Sequence, residues 1–138
     1  MEATLFADGG SRGNPGPAAS AAILLGSEGE LLEEISAYLG TATNNVAEWT
    51  ALVLGLEAAR NLGIRRLDVR LDSELVVRQL RGEYRVKHVG LQPLYQRAVR
   101  LLRAFEKVDI GHVPRKQNEL ADRLVNRVLD QEAQVSAK

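Results

Sequence analysis

The sequence predicts an α/β domain: a mixed sheet covered by helices, with a parallel portion built on crossover connections. Three observations predict it. Strand periodicity fills the chain up to residue 39 and returns at 66–72 and 107–113. Helical periodicity separates those returns. Gly, Pro and Asn cluster between the periodic segments rather than inside them. The 138 residues suit one domain, expected over 1–131 with a disordered tail at 132–138.

The elements follow in order. Residues 2–8 read as a strand ending at Asp8, and Gly9 to Pro17 (GGSRGNPGP) as a loop. Ala18 to Leu25 is an apolar strand, Gly26 to Gly29 a hairpin turn, and Glu30 to Leu39 the returning strand. Thr43 to Leu62 is a helix apolar around most of its circumference, hence largely buried, with Gly63 as its left-handed cap. Leu67, Val69 and Leu71 alternate with Asp68 and Arg70, which is a strand. A short helix runs through Leu75, Val76 and Leu80, and Gly82 to Gly90 is a polar, basic loop. Leu91 to Phe105 is an amphipathic helix, Lys107 to Val113 a last strand, and Asn118 to Leu129 a last helix. That helix places Leu120, Ala121, Leu124, Val125, Val128 and Leu129 on one face.

Composition narrows the chemistry. There is no cysteine, so a bound metal must take oxygen or imidazole ligands. No signal-peptide pattern and no apolar run near the ~18 residues of a membrane span are present, so a cytoplasmic protein without membrane contact is expected. Net charge is zero, but residues 1–59 carry eight acidic side chains against Arg12 alone, whereas residues 60–107 carry twelve basic and five acidic. Such a basic segment attracts phosphates, unless it pairs in space with the acidic one.

Four carboxylates stand where chemistry gathers. Asp8 and Asp72 end strands, and sites in sheets with parallel strands collect at carboxyl ends. Glu48 lies early in an otherwise apolar helix, and Asp122 early in the last one. Hard cations need such oxygen ligands, and clustering four carboxylates without a cation is costly. Each has an ordinary alternative: Asp8 capping the turn at Gly9-Gly10, Glu48 completing a capping box with Asn45, Asp72 as an N-cap, Asp122 favouring a helix N-terminus. Only the joint pattern favours catalysis. The glycine-rich loop lacks the GxGxxG spacing and runs into a strand, against a nucleotide-cofactor cradle. Thr43-Asn44-Asn45 at a helix start suits either N-capping or a phosphate contact. His112 is either a proton carrier or a surface histidine.

Together these segments resemble type 1 ribonuclease H. The resemblance rests on Asp8-Gly9-Gly10 through Asn14-Pro15-Gly16-Pro17, Thr43-Asn44-Asn45 through Glu48, Asp72-Ser73, and His112 through Asn118-Glu119-Leu120-Ala121-Asp122. It implies the ribonuclease H-like fold, a five-stranded mixed sheet of three antiparallel and two parallel strands flanked by helices. It implies an endoribonuclease that hydrolyses the RNA strand of RNA/DNA hybrids to 5′-phosphate and 3′-hydroxyl products. Asp8, Glu48, Asp72 and Asp122 would hold two Mg²⁺ ions, with Mn²⁺ able to substitute, and His112 would assist proton movement or product release. Gly9 and Glu48 would read 2′-hydroxyls, Asn14 and Thr43 a DNA-strand phosphate, and Asn44 and Asn45 the minor groove.

This sequence departs from the family pattern in three places. Glu74 replaces a glutamine that helps position substrate. Ala18, Ala19 and Ser20 replace glycines frequent in the second strand. The segment from Arg81 to Leu94 is too short for the basic protrusion of many bacterial members, leaving Arg85, Lys87 and His88 to grip the substrate. The compact form leaves open activity on double-stranded RNA. A monomer is expected. A non-catalytic hybrid-binding module and another nuclease of the same superfold are the alternatives.

Overall fold

The computed structural model of the chain describes residues 1–136. Its strands are β1 (Glu2–Ser11), β2 (Gly16–Gly26), β3 (Leu31–Ala42), β4 (Arg66–Leu71) and β5 (Lys107–His112). Its α-helices are α1 (Asn44–Asn61), α2 (Glu74–Leu80), α3 (Gln92–Leu102) and α4 (Glu119–Ser136), with single 3₁₀ turns at Val89–Leu91 and Arg115–Asn118. The strands form one sheet in the order β3-β2-β1-β4-β5. The pairs β1–β2 and β2–β3 are antiparallel, and β1–β4 and β4–β5 are parallel. Short turns suffice for the first two connections, and helical crossovers make the parallel ones. This is the expected five-stranded mixed sheet.

The alternation of the strands divides the core in two. Ala3, Leu5 and Ala7 of β1, with Leu67, Val69 and Leu71 of β4, face α1, α2 and α3. Phe6 of β1, with Ala19, Ala21 and Ile23 of β2, packs on the other side against Ala121, Leu124, Val125 and Leu129 of α4. Because α1 is sandwiched between sheet and α3, it buries residues around most of its circumference, including Trp49, Leu52, Val53 and Leu56. The Trp49 ring meets Tyr95 of α3 edge-on, centroids 5.8 Å apart. Among the described residues no helix is long and apolar enough to cross a membrane.

Several boundaries differ from the sequence reading. Asp8 does not end its strand: β1 continues through Ser11, with Gly9 opposite Ser20 and Gly10 opposite Ala19 of β2. The turn-like glycines stay in the ladder because β2 supplies partners for them. β3 likewise runs on to Ala42, and α3 stops at Leu102, three residues before the buried Phe105. Leu120 lies outside the apolar face and is 53% exposed. The buried residues of the face are Ala121, Leu124, Val125 and Leu129, joined by Asn118 from the preceding 3₁₀ turn. The tail expected from 132 is helical as far as Ser136, and its last two residues lie outside the described ones. No Gly or Pro interrupts residues 130–136, and Asp130 pairs with Arg12 at 2.6 Å.

Candidate active site

The parallel ladder between β1 and β4 ends at Ala7 opposite Leu71. Asp8 and Asp72 are the next residues on each strand, so chain geometry sets them side by side at that end. α1 brings Glu48 to the same place through a tight contact. A Cβ on Gly9 would stand 2.2 Å from the Ala47 carbonyl carbon and 2.4 Å from the Glu48 nitrogen. Only a glycine lets the first turns of α1 lie directly on β1. Ser20, paired with Gly9 on the neighbouring strand, donates its Oγ hydrogen to the Ala47 carbonyl oxygen at 2.6 Å and is fully buried. The serine found in place of a family glycine is thus a fastener for the helix that carries Glu48.

α4 delivers Asp122. Asn118, 1% exposed, donates from Nδ2 to the Ala7 carbonyl oxygen at 2.9 Å, which ties the start of α4 to the residue before Asp8. Four elements therefore converge. Asp8, Glu48, Asp72 and Asp122 line one cleft of about 430 Å³, together with Gly9, Gly10, Arg12, Asn44 and Arg115. The capping alternatives fall away: Thr43 caps α1 by accepting from the Val46 N–H, and Ser73 caps α2 by accepting from the Val76 N–H.

The electrostatics carry the mark of crowding. Burial, reinforced by the charges of Asp72, Asp122 and Glu48 against a backbone N–H from Gly9, pushes the Asp8 carboxyl from 3.8 up to about 8. Burial likewise raises Glu48 from 4.5 to about 7, with the Asp72 charge adding and a hydrogen bond from Ser73 opposing. The donor set is all carboxylate oxygen, which suits a hard divalent cation. Among the described residues no three such groups stand close enough to cage an ion by themselves. Arg115 lies 3.7 Å from the Asp122 carboxylate, partly balancing the cleft.

A second cleft, about 400 Å³, adjoins the first and is lined by Asn14, Thr43, Asn44, Asn45, Val46, His88 and Leu91. The predicted phosphate-pocket residues are thus brought together. Asn44 borders both clefts: its Oδ1 accepts from the Ser11 N–H at 2.8 Å, and its own N–H donates to Asn14 Oδ1 at 3.1 Å. His88, expected to grip substrate with Arg85 and Lys87, lines this second cleft, its Nδ1 accepting from the Gly90 N–H at 3.1 Å.

The remaining predicted residues lie elsewhere. His112 is exposed, with Nε2 3.2 Å from the Asp72 carbonyl oxygen, beside the cleft rather than in its lining. Glu74 points to Arg78 at 2.8 Å, and Arg78 sits 5.3 Å over the Tyr84 ring. Arg85 and Lys87 are exposed and line neither cleft. Arg12 and Arg115 were not predicted as site residues. For Arg12 a signal existed, since it is the lone basic residue before position 60. A further depression of about 290 Å³ lies at the opposite end of the sheet. Its charges pair among themselves, Arg66 with Glu2 at 3.4 Å and Lys107 with Asp109 at 3.9 Å.

A family model described as "Reverse transcriptase-like" matches residues 6–128. The crystal structure of RNase H1 from Halobacterium salinarum superposes with a TM-score of 0.91 at 42% identity, covering 95% of this chain and 99% of that one. The chain belongs to the ribonuclease H family. The LC11 RNase H1, solved in complex with an RNA/DNA hybrid, is 38% identical with a TM-score of 0.89, over 95% of this chain and 99% of that one. The bifunctional protein Rv2228c of Mycobacterium tuberculosis is 44% identical over 99% of this chain. The ribonuclease H chain described here spans 38% of that relative's length, and 63% of the length of Halobacterium ribonuclease HI, 44% identical to it over 91% of this chain.

Proposed function

We propose that this chain is a divalent-metal-dependent endoribonuclease that hydrolyses the RNA strand of RNA/DNA hybrids, leaving 5′-phosphate and 3′-hydroxyl ends. The observation that carries the reading is the convergence of Asp8, Glu48, Asp72 and Asp122 from four separate elements on one cleft. Membership of the ribonuclease H family supports it, as does the hybrid bound by the LC11 relative.

Asp8, Glu48, Asp72 and Asp122 would hold two Mg²⁺ or Mn²⁺ ions, all four lining the one cleft. Bound there, the ions supply charge neutralisation at the phosphate and a lowered pKa for the attacking water. The chain's own groups do the rest. The crowded carboxylates would bind metal in their ionised form, against pKa values that burial and mutual repulsion raise at Asp8 and Glu48. The water oxygen forms a bond to phosphorus as the bond to the 3′ oxygen breaks, and the leaving oxygen takes a proton. His112, beside Asp72, is placed to move protons at the cleft's rim. The second cleft takes a backbone phosphate of the uncut DNA strand through Asn14 and Thr43, with Asn44 and Asn45 toward the minor groove and His88 beside them. Backbone contacts of this kind carry no base information, so cutting is nearly sequence-independent.

Labelled RNA/DNA hybrid, duplex RNA and duplex DNA, each incubated with the chain and Mg²⁺, test the proposal. Cleavage of the hybrid's RNA strand is expected, lost with EDTA and reduced at least ~10³-fold in Asp8→Asn, by the scale of a lost catalytic electrostatic group. Full activity of Asp8→Asn or in EDTA would overturn the mechanism. Binding of hybrid without cutting would mark a non-catalytic module, and cutting of DNA alone another nuclease of the superfold. Equal cutting of duplex RNA would broaden the substrate class.

A further inference from the structure

Arg12 is the one cation of the catalytic cleft that no role above uses. It lines that cleft with the four carboxylates, yet its guanidinium pairs with Asp130 of α4 at 2.6 Å. Asp130 itself is not part of the lining. The other cleft arginine, Arg115, is engaged with Asp122, one of the four. Arg12 can therefore change partners without disturbing the metal-binding acids.

Its backbone is tied down by hydrogen bonds and close contacts, whereas its side chain is partly exposed. The Arg12 N–H donates to the Pro17 carbonyl at 2.8 Å. A Cβ on Gly16 would stand 2.2 Å from the Arg12 carbonyl oxygen, so the loop folds hard against itself. Just before it, the Ser11 N–H is held by Asn44 Oδ1 at 2.8 Å and Ser11 Oγ donates to the Ala42 carbonyl at 2.8 Å. The guanidinium, by contrast, reaches out over the α4 surface with 43% of the side chain exposed, and Asp130 is 63% exposed. Exposed pairs of this kind are weakly held. A phosphodiester offers the same guanidinium a fork-shaped, charge-assisted partner. Two residues further on, Asn14 lines the second cleft, so one short loop faces both.

We propose that Arg12 grips a backbone phosphate of the RNA strand being cut, next to the scissile one, and that Asp130 holds the guanidinium in waiting and competes with that phosphate. This rests on the hybrid-nuclease reading and names a substrate contact within it. The two members of the pair then have opposite effects on substrate. Arg12→Ala removes a phosphate contact, and Asp130→Asn releases Arg12 to make it. A pair that merely latched the loop to α4 would give the same direction of change for both.

The test measures KM and kcat on hybrid for the parent chain, Arg12→Ala, Arg12→Lys, Asp130→Asn and the double variant. Hybrid affinity is measured against salt for the same substitutions in an uncleaving Asp8→Asn background. Arg12→Ala is expected to raise KM about tenfold, or about 1.4 kcal/mol, with a smaller change in kcat. It should lower the slope of log affinity against log salt by about one. Arg12→Lys should keep the slope and recover part of the KM. Asp130→Asn should lower KM severalfold, and only while Arg12 is present. An unchanged KM and slope in Arg12→Ala, or a rise in KM in Asp130→Asn, overturns the inference while cleavage by the parent chain leaves the nuclease reading standing. If the parent chain neither cuts nor binds hybrid, both fall.

Discussion

Replacing Asp8 with asparagine in metal-free buffer is expected to stabilise the fold, and more so at pH 8 than near pH 4. An unfolded aspartate releases its proton near 3.8, whereas in the fold burial and three neighbouring carboxylates hold that proton to about 8. Between these values the folded chain binds a proton that the unfolded chain does not. Stability therefore falls as pH rises, by about 1.4 kcal/mol per pH unit for one proton. A folded pKa near 8 against 3.8 unfolded sets a ceiling of about 6 kcal/mol at pH 8. The cleft is open to water, and its acids titrate jointly, so about half or less of that survives. Asparagine keeps the shape and removes the charge, giving a gain of about 2–3 kcal/mol, or about 10 °C in Tm. Thermal melts of both chains in EDTA at pH 5 and pH 8 measure it, and added Mg²⁺ should reverse the ranking by binding only the parent fold. Were Asp8→Asn no more stable than the parent at pH 8 in EDTA, the carboxylates would not be in mutual repulsion. The argument for a cation site would then lose its basis.

Two further substitutions probe how the site is held. Gly9→Ala drives a methyl into the α1 backbone, and a loss of at least ~3 kcal/mol in urea denaturation is expected, the upper end for overpacking. Where that variant folds, displacement of Glu48 should cost about 10² in kcat on hybrid. Asn118→Ala removes the bond to the Ala7 carbonyl and should cost about 1–3 kcal/mol. Its effect on activity should exceed its effect on stability, since the start of α4 sets Asp122, and a kcat unchanged within twofold would refute that coupling.

The acids were legible in the sequence because each sits at a junction, Asp72 just past a strand and Glu48 alone among apolar neighbours. The strand and helix order was legible for the same reason, periodicity being a local property. What misled was the composition of Gly9 and Gly10. Glycines signal loops, but here β2 pairs both and α1 requires Gly9 to be bare, neither of which is local. Leu120 went astray because it stands at the edge of the stripe, about 100° round the helix from Ala121, where the pattern alone does not show which side is covered. Arg12 could be noticed as an isolated charge, but its partner Asp130 is 118 positions away and could not be foreseen. The positions of Glu74 and His88 depended likewise on contacts: Arg78 drew the first aside, and the 3₁₀ turn at Val89–Leu91 set the second against α1.

Asn44 borders two clefts and is fixed by one hydrogen bond to each side of a rigid turn. A wall so held works like the beam of a caliper: the gap between its jaws is a constant of the molecule. For a nuclease gripping both strands at once, the width of the duplex becomes the quantity measured, ahead of any letter written in it. With one strand seated in each cleft as proposed, a helix of another gauge would seat one backbone or the other, but not both together.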